Sequence, residues 1–141
     1  MLKKILGIAP KLEADGSYSP SKFALKMGVP DITDFENITD RKYSGTQKKI
    51  LVICTEEKNL KMKNGKYFST GNHPVESLLP MLHFRNAGFE FEIATPTGKP
   101  AVFEMWAFPK KDEHVNSIYN EYKTNFEHPI SLSDFIDHSI D

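Results

Sequence analysis

Two stretches of the chain show hydrophobic patterns typical of β-strands. Residues 50–54 form an unbroken apolar run, Ile-Leu-Val-Ile-Cys, which predicts a central strand of a parallel sheet that is covered on both faces. Residues 89–95 alternate instead, with Phe89, Phe91 and Ile93 on one face and glutamates on the other. This second pattern predicts a strand with one wetter face, nearer the edge of the sheet.

The residues between these two stretches predict an α-helix over residues 74–87. Pro74 suits the first helical position, Glu76 follows within the first turn, and Gly88 ends the segment. Pro80 removes one backbone donor, so it should kink the helix or free the carbonyl of Glu76. The face predicted to point inward carries Val75, Leu78, Leu79 and Leu82. Strand, helix and strand in this order form a βαβ unit, which places the chain in the α/β class.

The remaining residues have weaker patterns. Residues 1–47 hold no period long enough to bury a face, and they predict an extended arm. Residues 55–72 predict a long polar loop with a turn at Asn64-Gly65. Residues 112–125 predict an amphipathic helix, because apolar residues recur there at helical spacing: Val115, Ile118, Tyr119, Tyr122 and Phe126. A final short helix, capped by Ser131 or Ser133, is predicted to carry Leu132, Phe135, Ile136 and Ile140.

A sheet of only two strands is too small to be stable. A parallel pair with one crossover helix leaves edges unpaired and apolar faces exposed. We therefore expect either a partner or a missing second half to complete the sheet.

Composition narrows the range of functions. The 141 residues include 18 basic and 19 acidic side chains, giving a net charge of −1, so no chain-wide positive field favours nucleic acid or an anionic membrane. No apolar run approaches the roughly 18 residues that a membrane span needs. The single cysteine excludes an intrachain disulfide framework. We expect a cytoplasmic protein without a membrane partner.

Glu76 is the main candidate for chemistry, and the residue pattern allows two interpretations. It can be an N-terminal helix residue that accepts backbone donors and faces the helix dipole. It can also be a general acid or base at the carboxyl edge of a sheet, where α/β proteins bind ligands. The dipole would lower the pKa of Glu76 and burial would raise it, so the sequence leaves its protonation open.

The other reactive side chains have ordinary structural explanations. Cys54 ends an apolar strand, which favours a buried core thiol. His73 can line a binding site, but it can equally be an extended helix-entry residue before Pro74. His83 shares a helix face with Glu76, yet no HExxH or CxxC spacing is present, so we expect no metal site. Trp106, Phe103 and Phe108 are interpreted as a core or interface patch.

Three segments carry a resemblance to a known family. NGKYFSTGNHPVESLLP, AGFEFEIAT and FEMWAFPKKDE occur in this order, with SPSKFALKMGVPDITDF as a weaker match upstream. They resemble the HchA-type heat-shock chaperone and glyoxalase III family of the PfpI, class I glutamine amidotransferase-like superfamily. GNHPVE is the specific signature.

The resemblance implies a partial flavodoxin-like parallel sheet with flanking helices and a small second domain. Residues 1–47 and 101–141 would contribute to that second domain, and the core would begin with residues 48–100. The family's active site combines a cysteine on a nucleophile elbow, a histidine and a glutamate that matches Glu76. It converts methylglyoxal to D-lactate without glutathione or another cofactor, and a deglycase activity on proteins and nucleic acids has also been proposed.

The chain also departs from the family pattern. The elbow cysteine and its histidine belong to the family's second half, beyond Asp141, and Cys54 does not occupy the elbow position. The resemblance therefore implies an N-terminal half that is inactive alone, and a homodimer when intact. Zinc-binding relatives use a glutamate that matches Glu90 and two histidines, whose positions here hold Arg85 and Tyr122, so we expect that site to be absent.

Two functional hypotheses follow. The first is a glyoxalase III-like enzyme acting on a small aldehyde substrate, with Glu76 as the catalytic acid or base and His73 as a substrate contact. The second is a stress-linked holdase that binds unfolded proteins through exposed apolar surface, including the patch around Trp106.

Overall fold

The structure is a computed structural model, and it describes residue 2 and residues 6–38, 42–46 and 49–139. Ile140 and the predicted boundary between residues 47 and 48 lie outside the described part. In chain order the strands are β1 (Lys11–Leu12), β2 (Tyr18–Ser19), β3 (Lys49–Ile53), β4 (Asn59–Lys61), β5 (Tyr67–Ser69), β6 (Glu90–Thr95) and β7 (Ile130–Ser131). The α-helices are α1 (Lys22–Gly28), α2 (Pro74–Asn86), α3 (Glu113–Glu121), α4 (Lys123–Glu127) and α5 (Leu132–Ser139). None of these described helices has the length and apolar character needed to span a bilayer.

A parallel sheet with the strand order β3-β6-β7 forms the core of the fold. Ile50 pairs with Phe91 in the β3–β6 ladder, and Ala94 pairs with Ile130 in the β6–β7 ladder. The predicted α/β class, with a parallel sheet and flanking helices, is confirmed.

Among the described residues, the two main strands do not hold their predicted positions in the sheet. Strand β6 lies in the middle of the parallel sheet, whereas β3 pairs only with β6 among the described residues. The prediction failed because β7 has only two residues, which is too short for a detectable period. The predicted faces of β6 agree with the structure, since Phe91 and Ile93 are buried.

A second sheet, in the order β1-β2-β5-β4, joins the N-terminal arm to the segment after β3. Strands β4 and β5 form an antiparallel hairpin, so the prediction of a loop over residues 55–72 was wrong, although the turn at Asn64-Gly65 was placed correctly. Strand β2 pairs in parallel with β5 through Tyr18 and Phe68. The arm also contains helix α1, which was not predicted because its apolar positions do not form a periodic face.

Helix α2 packs on the parallel sheet and continues through Pro80. Its buried residues include Leu78, Met81 and Leu82. Of the four predicted inward positions, Leu78 and Leu82 are buried, and Leu79 is partly buried against the same core. Full burial of a leucine side chain stabilises the fold by about 1.5–3 kcal/mol. The buried leucines of α2 are therefore an important part of the core.

The predicted helix over residues 112–125 is divided into α3 and α4. The break lies at Tyr122, whose backbone leaves helical geometry with φ −103° and ψ 11°. Its ring packs edge-on against Phe91, with ring centroids 5.3 Å apart. Val115, Ile118 and Phe126 are buried as the apolar spacing predicted. Packing against the sheet therefore changes the helix without changing which residues face inward.

Asp112 connects the N-terminal arm to helix α3. The residue is 2% exposed and caps α3 by accepting a hydrogen bond from the backbone N–H of Val115 at 2.9 Å. Its other carboxylate oxygen accepts from both the backbone N–H and the hydroxyl of Thr33, at 2.7 and 2.5 Å. Burial by itself raises the pKa of the Asp112 carboxyl. The hydrogen bonds together lower this pKa by a larger amount, so it lies below the usual value.

Replacing Asp112 by alanine should destabilise the chain by about 1–3 kcal/mol, because the cap and both bonds to Thr33 are lost. The pKa of Asp112 is lowered in the folded state, so its contribution is present above the unfolded pKa and disappears as the pH falls through the folded pKa. Urea unfolding at pH 7 and pH 3 measures this. Glu113→Ala, on the neighbouring exposed acid, is the control and should change the free energy of unfolding little. An Asp112→Ala cost that is equal at both pH values contradicts the assigned carboxylate role.

Candidate active site

Asn72 holds together three chain segments at the carboxyl end of β3. Its side-chain carbonyl accepts from the backbone N–H of Thr55 at 3.0 Å, and its side-chain amide donates to the carbonyls of Thr55 and Val102, at 3.0 and 2.7 Å. Its backbone N–H also donates to Val102, and its carbonyl accepts from Glu104. No pattern in the sequence predicted this role, although Asn72 lies within GNHPVE.

Gly71 allows the close approach of these segments. A Cβ atom at this position would lie 2.7 Å from the carbonyl oxygen of Val102 and 2.9 Å from the carbonyl carbon of Phe103. Both atoms belong to backbone, which cannot move aside like a flexible side chain. Glycine is therefore required where the chain passes residues 102–103 and enters α2.

Glu76 lies in the first turn of α2, directly after this junction, and its side chain is exposed. The carboxylate makes no hydrogen bond to any described residue. The sequence allowed Glu76 to accept hydrogen bonds from backbone N–H groups, but its carboxylate accepts none in the described part of the chain. The carboxylate remains available to a ligand.

His73 caps α2 instead. Its backbone is extended, with φ −70° and ψ 123°, and its Nδ1 accepts from the backbone N–H of Glu76 over a long 3.5 Å. This is the helix-entry role that the sequence allowed. The predicted contact between His73 and a substrate stays a prediction.

A depression of about 280 Å³ brings Glu76 together with the end of β3 and one face of α2. Its lining includes Cys54, Asn72, Glu76, Ser77, Met81 and Phe84. On the strand side lies Ile53, which is 59% exposed. The depression is thus polar beside Glu76 and apolar along β3.

Cys54 is a core residue, as predicted. Its side chain is 3% exposed, and burial raises the pKa of its thiol to about 11. Only the thiolate is a good nucleophile, and almost none forms near neutral pH at such a pKa. Cys54 lines the depression but does not supply an activated nucleophile.

Arg85, one of the two residues that stand in place of the expected zinc-binding histidines, forms an ion pair with Glu121. The guanidinium Nη2 lies 3.0 Å from the Glu121 carboxylate. Burial and the nearby carboxylates of Glu121 and Glu90 raise the pKa of Tyr122, so it stays a neutral phenol and a poor metal ligand. No cluster of three or more acidic, histidine or cysteine side chains suited to a metal occurs in the described ranges.

The aromatic segment after residue 102 belongs mainly to the core. Phe103 and Phe108 are buried, which confirms the core interpretation for these two residues. Trp106 is half-buried, and its indole N–H donates to the carbonyl of Ser69 at 3.2 Å. Met105 alone of this group is largely exposed, at 51%.

The chain has relatives among proteins of known name. No family model matches it. Proteins named "Protein/nucleic acid deglycase HchA" from Escherichia coli O157:H7 (strain EC4115 / EHEC) and from E. coli strain K12 / DH10B are each 42% identical to it over 122 residues. The chain belongs to the HchA-type family. The matched region covers 86% of this chain and 43% of each relative, so the chain spans less than half the length of these curated HchA proteins.

Changing Asn72 to aspartate should destabilise this HchA-type chain by about 2–3 kcal/mol. Aspartate has nearly the same shape but no N–H donors, so the carbonyls of Thr55 and Val102 each lose one side-chain hydrogen bond and face a negative charge instead. Urea unfolding at pH 7 gives the free energy. Asn64→Asp is the matched control, because Asn64 only accepts a bond from the backbone N–H of Lys66, and aspartate can still accept it. Equal effects of the two substitutions would show that the amide donors at residue 72 are unimportant.

Proposed function

We propose that Glu76 is the general acid and base of a glyoxalase III or deglycase-type active site, which in an intact protein converts methylglyoxal to lactate. The observation that carries this proposal is the unbonded carboxylate of Glu76 at the edge of a depression beside the carboxyl end of β3. Ligands of open α/β sheets bind at this edge. The relatives' name, protein/nucleic acid deglycase, supports chemistry on carbonyl-derived adducts.

The reaction needs one carboxylate that can both accept and release a proton. Methylglyoxal and lactate differ by one water, and the aldehyde hydrogen must reach the neighbouring ketone carbon. After a thiolate adds to the aldehyde, a carboxylate can remove the proton from that carbon and return it to the adjacent one. Hydrolysis of the resulting thioester then releases lactate and regenerates the thiol. Glu76 is exposed and rigidly attached to α2, which suits it to this transfer.

We propose that the nucleophile comes from outside residues 1–141, because Cys54 is buried and its thiol has a pKa of about 11. The open side of β3 supports this arrangement. Among the described residues β3 pairs only with β6, and the apolar side chain of Ile53 stays exposed at its end. A further parallel strand on this side would extend the sheet and bring its own carboxyl end, with a cysteine, toward Glu76.

The experiment joins residues 1–141 to the part of the E. coli relative that lies beyond the matched region. We expect this chimera to consume methylglyoxal without glutathione, and Glu76→Gln to reduce kcat by about 10²–10⁴ because proton transfer is lost. Methylglyoxal loss and lactate formation are the measurements, and circular dichroism checks that the variant folds.

Glu57→Gln is the matched control for this chimera, since Glu57 is an exposed glutamate on the segment after β3, and it should leave kcat unchanged. Residues 1–141 alone should show no turnover. A Glu76→Gln chimera with full activity, or turnover by the isolated chain, contradicts the proposal.

A holdase activity is the second candidate, supported by the exposed side chains of Ile53, Leu60 and Met105. We expect the chimera to suppress aggregation of a heated client enzyme, measured by light scattering, equally well with glutamate or glutamine at residue 76. Met105→Lys should weaken the suppression, because it places a charge on the apolar surface. No suppression by either form rejects this role.

A further inference from the structure

A second concave surface lies beside Trp106 and shares none of its lining residues with the depression at Glu76. This cleft has a volume of about 530 Å³, which is within the range of about 300–1,000 Å³ typical of small-molecule sites. The turn after β1 forms one wall and residues 102–110 form the other. The cleft is thus built where the N-terminal arm meets the aromatic segment.

The floor of the cleft is apolar and its rim is cationic. Val102, Phe103, Met105 and Trp106 provide the floor. Trp106 is held in place because its indole N–H donates to the carbonyl of Ser69. Lys11, Lys58 and Lys110 also line the cleft, and all three are exposed, which places them at its rim.

The two acids in the lining have no free acceptor atoms. Glu13 accepts from Lys11 with one carboxylate oxygen and from the hydroxyl of Ser19 with the other. Asp15 accepts from Ser17 with one oxygen, and its other oxygen lies 2.7 Å from the Lys58 ammonium. Each of the four carboxylate oxygens therefore already accepts from a donor of the protein itself.

Donor capacity remains on the lysines. An ammonium group has three donors, and Lys11 and Lys58 each use one on a carboxylate of the lining. Lys110 has no acidic partner among the described residues, unlike its neighbour Lys111, which pairs with Asp31 at 2.7 Å. A ligand that enters the cleft thus meets unused cationic donors above an apolar floor.

We propose that this cleft binds a small organic anion, whose carboxylate pairs with the rim lysines while its apolar body covers Met105 and Trp106. An uncharged analogue loses the ion pairing, and a cationic one is repelled. The site is independent of Glu76 and of the proposed catalysis, because no residue is shared with that depression.

Trp106 is the only tryptophan of the chain, so its indole N–H resonance reports on the cleft. The test titrates residues 1–141 with 4-phenylbutyrate and follows this resonance in ¹⁵N–¹H NMR spectra. We expect a saturable shift with a Kd on the order of 1 mM, as a ligand of this size allows. At the same concentrations 4-phenylbutyramide should bind several-fold more weakly and 4-phenylbutylamine should produce no saturable shift.

Lys110→Glu should weaken binding of 4-phenylbutyrate by roughly tenfold, and Lys110→Gln by about two- to fivefold. The matched control is Lys63→Glu, which changes the net charge equally but lies at the turn end of the β4–β5 hairpin, away from Ser69. It should leave the Kd within twofold. Equal binding of the acid, amide and amine, an equal loss in the Lys63 and Lys110 variants, or no shift of Trp106 overturns the proposal.

Discussion

The hydrogen bonds of Asn72 determine the geometry of the candidate active site. One amide side chain joins the end of β3 to the segment at residues 102–104, while its own backbone leads directly into α2. Backbone groups at a strand end need partners once they leave the ladder, and those that are buried without one are costly. Asn72 satisfies them with a short side chain that has both a donor and an acceptor. The position of Glu76 follows, since only three residues separate it from this junction.

Around Asn72, other residues make the hydrogen bonds that hold the structure together, and the Glu76 carboxylate takes no part in them. Gly71 permits two backbones to come together, and His73 caps the helix in place of the glutamate. Capping by histidine leaves the Glu76 carboxylate available near the positive end of α2. That end favours a negative charge, so the site has an acceptor that is held in position by the helix backbone.

The N-terminal arm is connected to the fold by buried polar contacts as well as apolar ones. Asp112 accepts three hydrogen bonds, two of them from Thr33, and β2 adds the arm to the hairpin of β4 and β5. As a result the arm forms one wall of the cleft beside Trp106. The same region that looks irregular in sequence therefore shapes a second surface of the molecule.

The hydrophobic pattern by itself determined the α/β class, the bounds of α2 within about one residue, and the buried faces of β6 and α3, because these depend on local periods of 2.0 and 3.6 residues. It also marked Cys54 as a core thiol and Glu76 as a helix N-terminal residue. Tertiary structure decided that β6 rather than β3 is the middle strand of the described parallel sheet, that residues 55–72 contain a hairpin, and that Tyr122 divides a helix. It also decided the role of Asn72. Each of these depends on contacts between segments far apart in the chain, and no local period of side chains records such contacts.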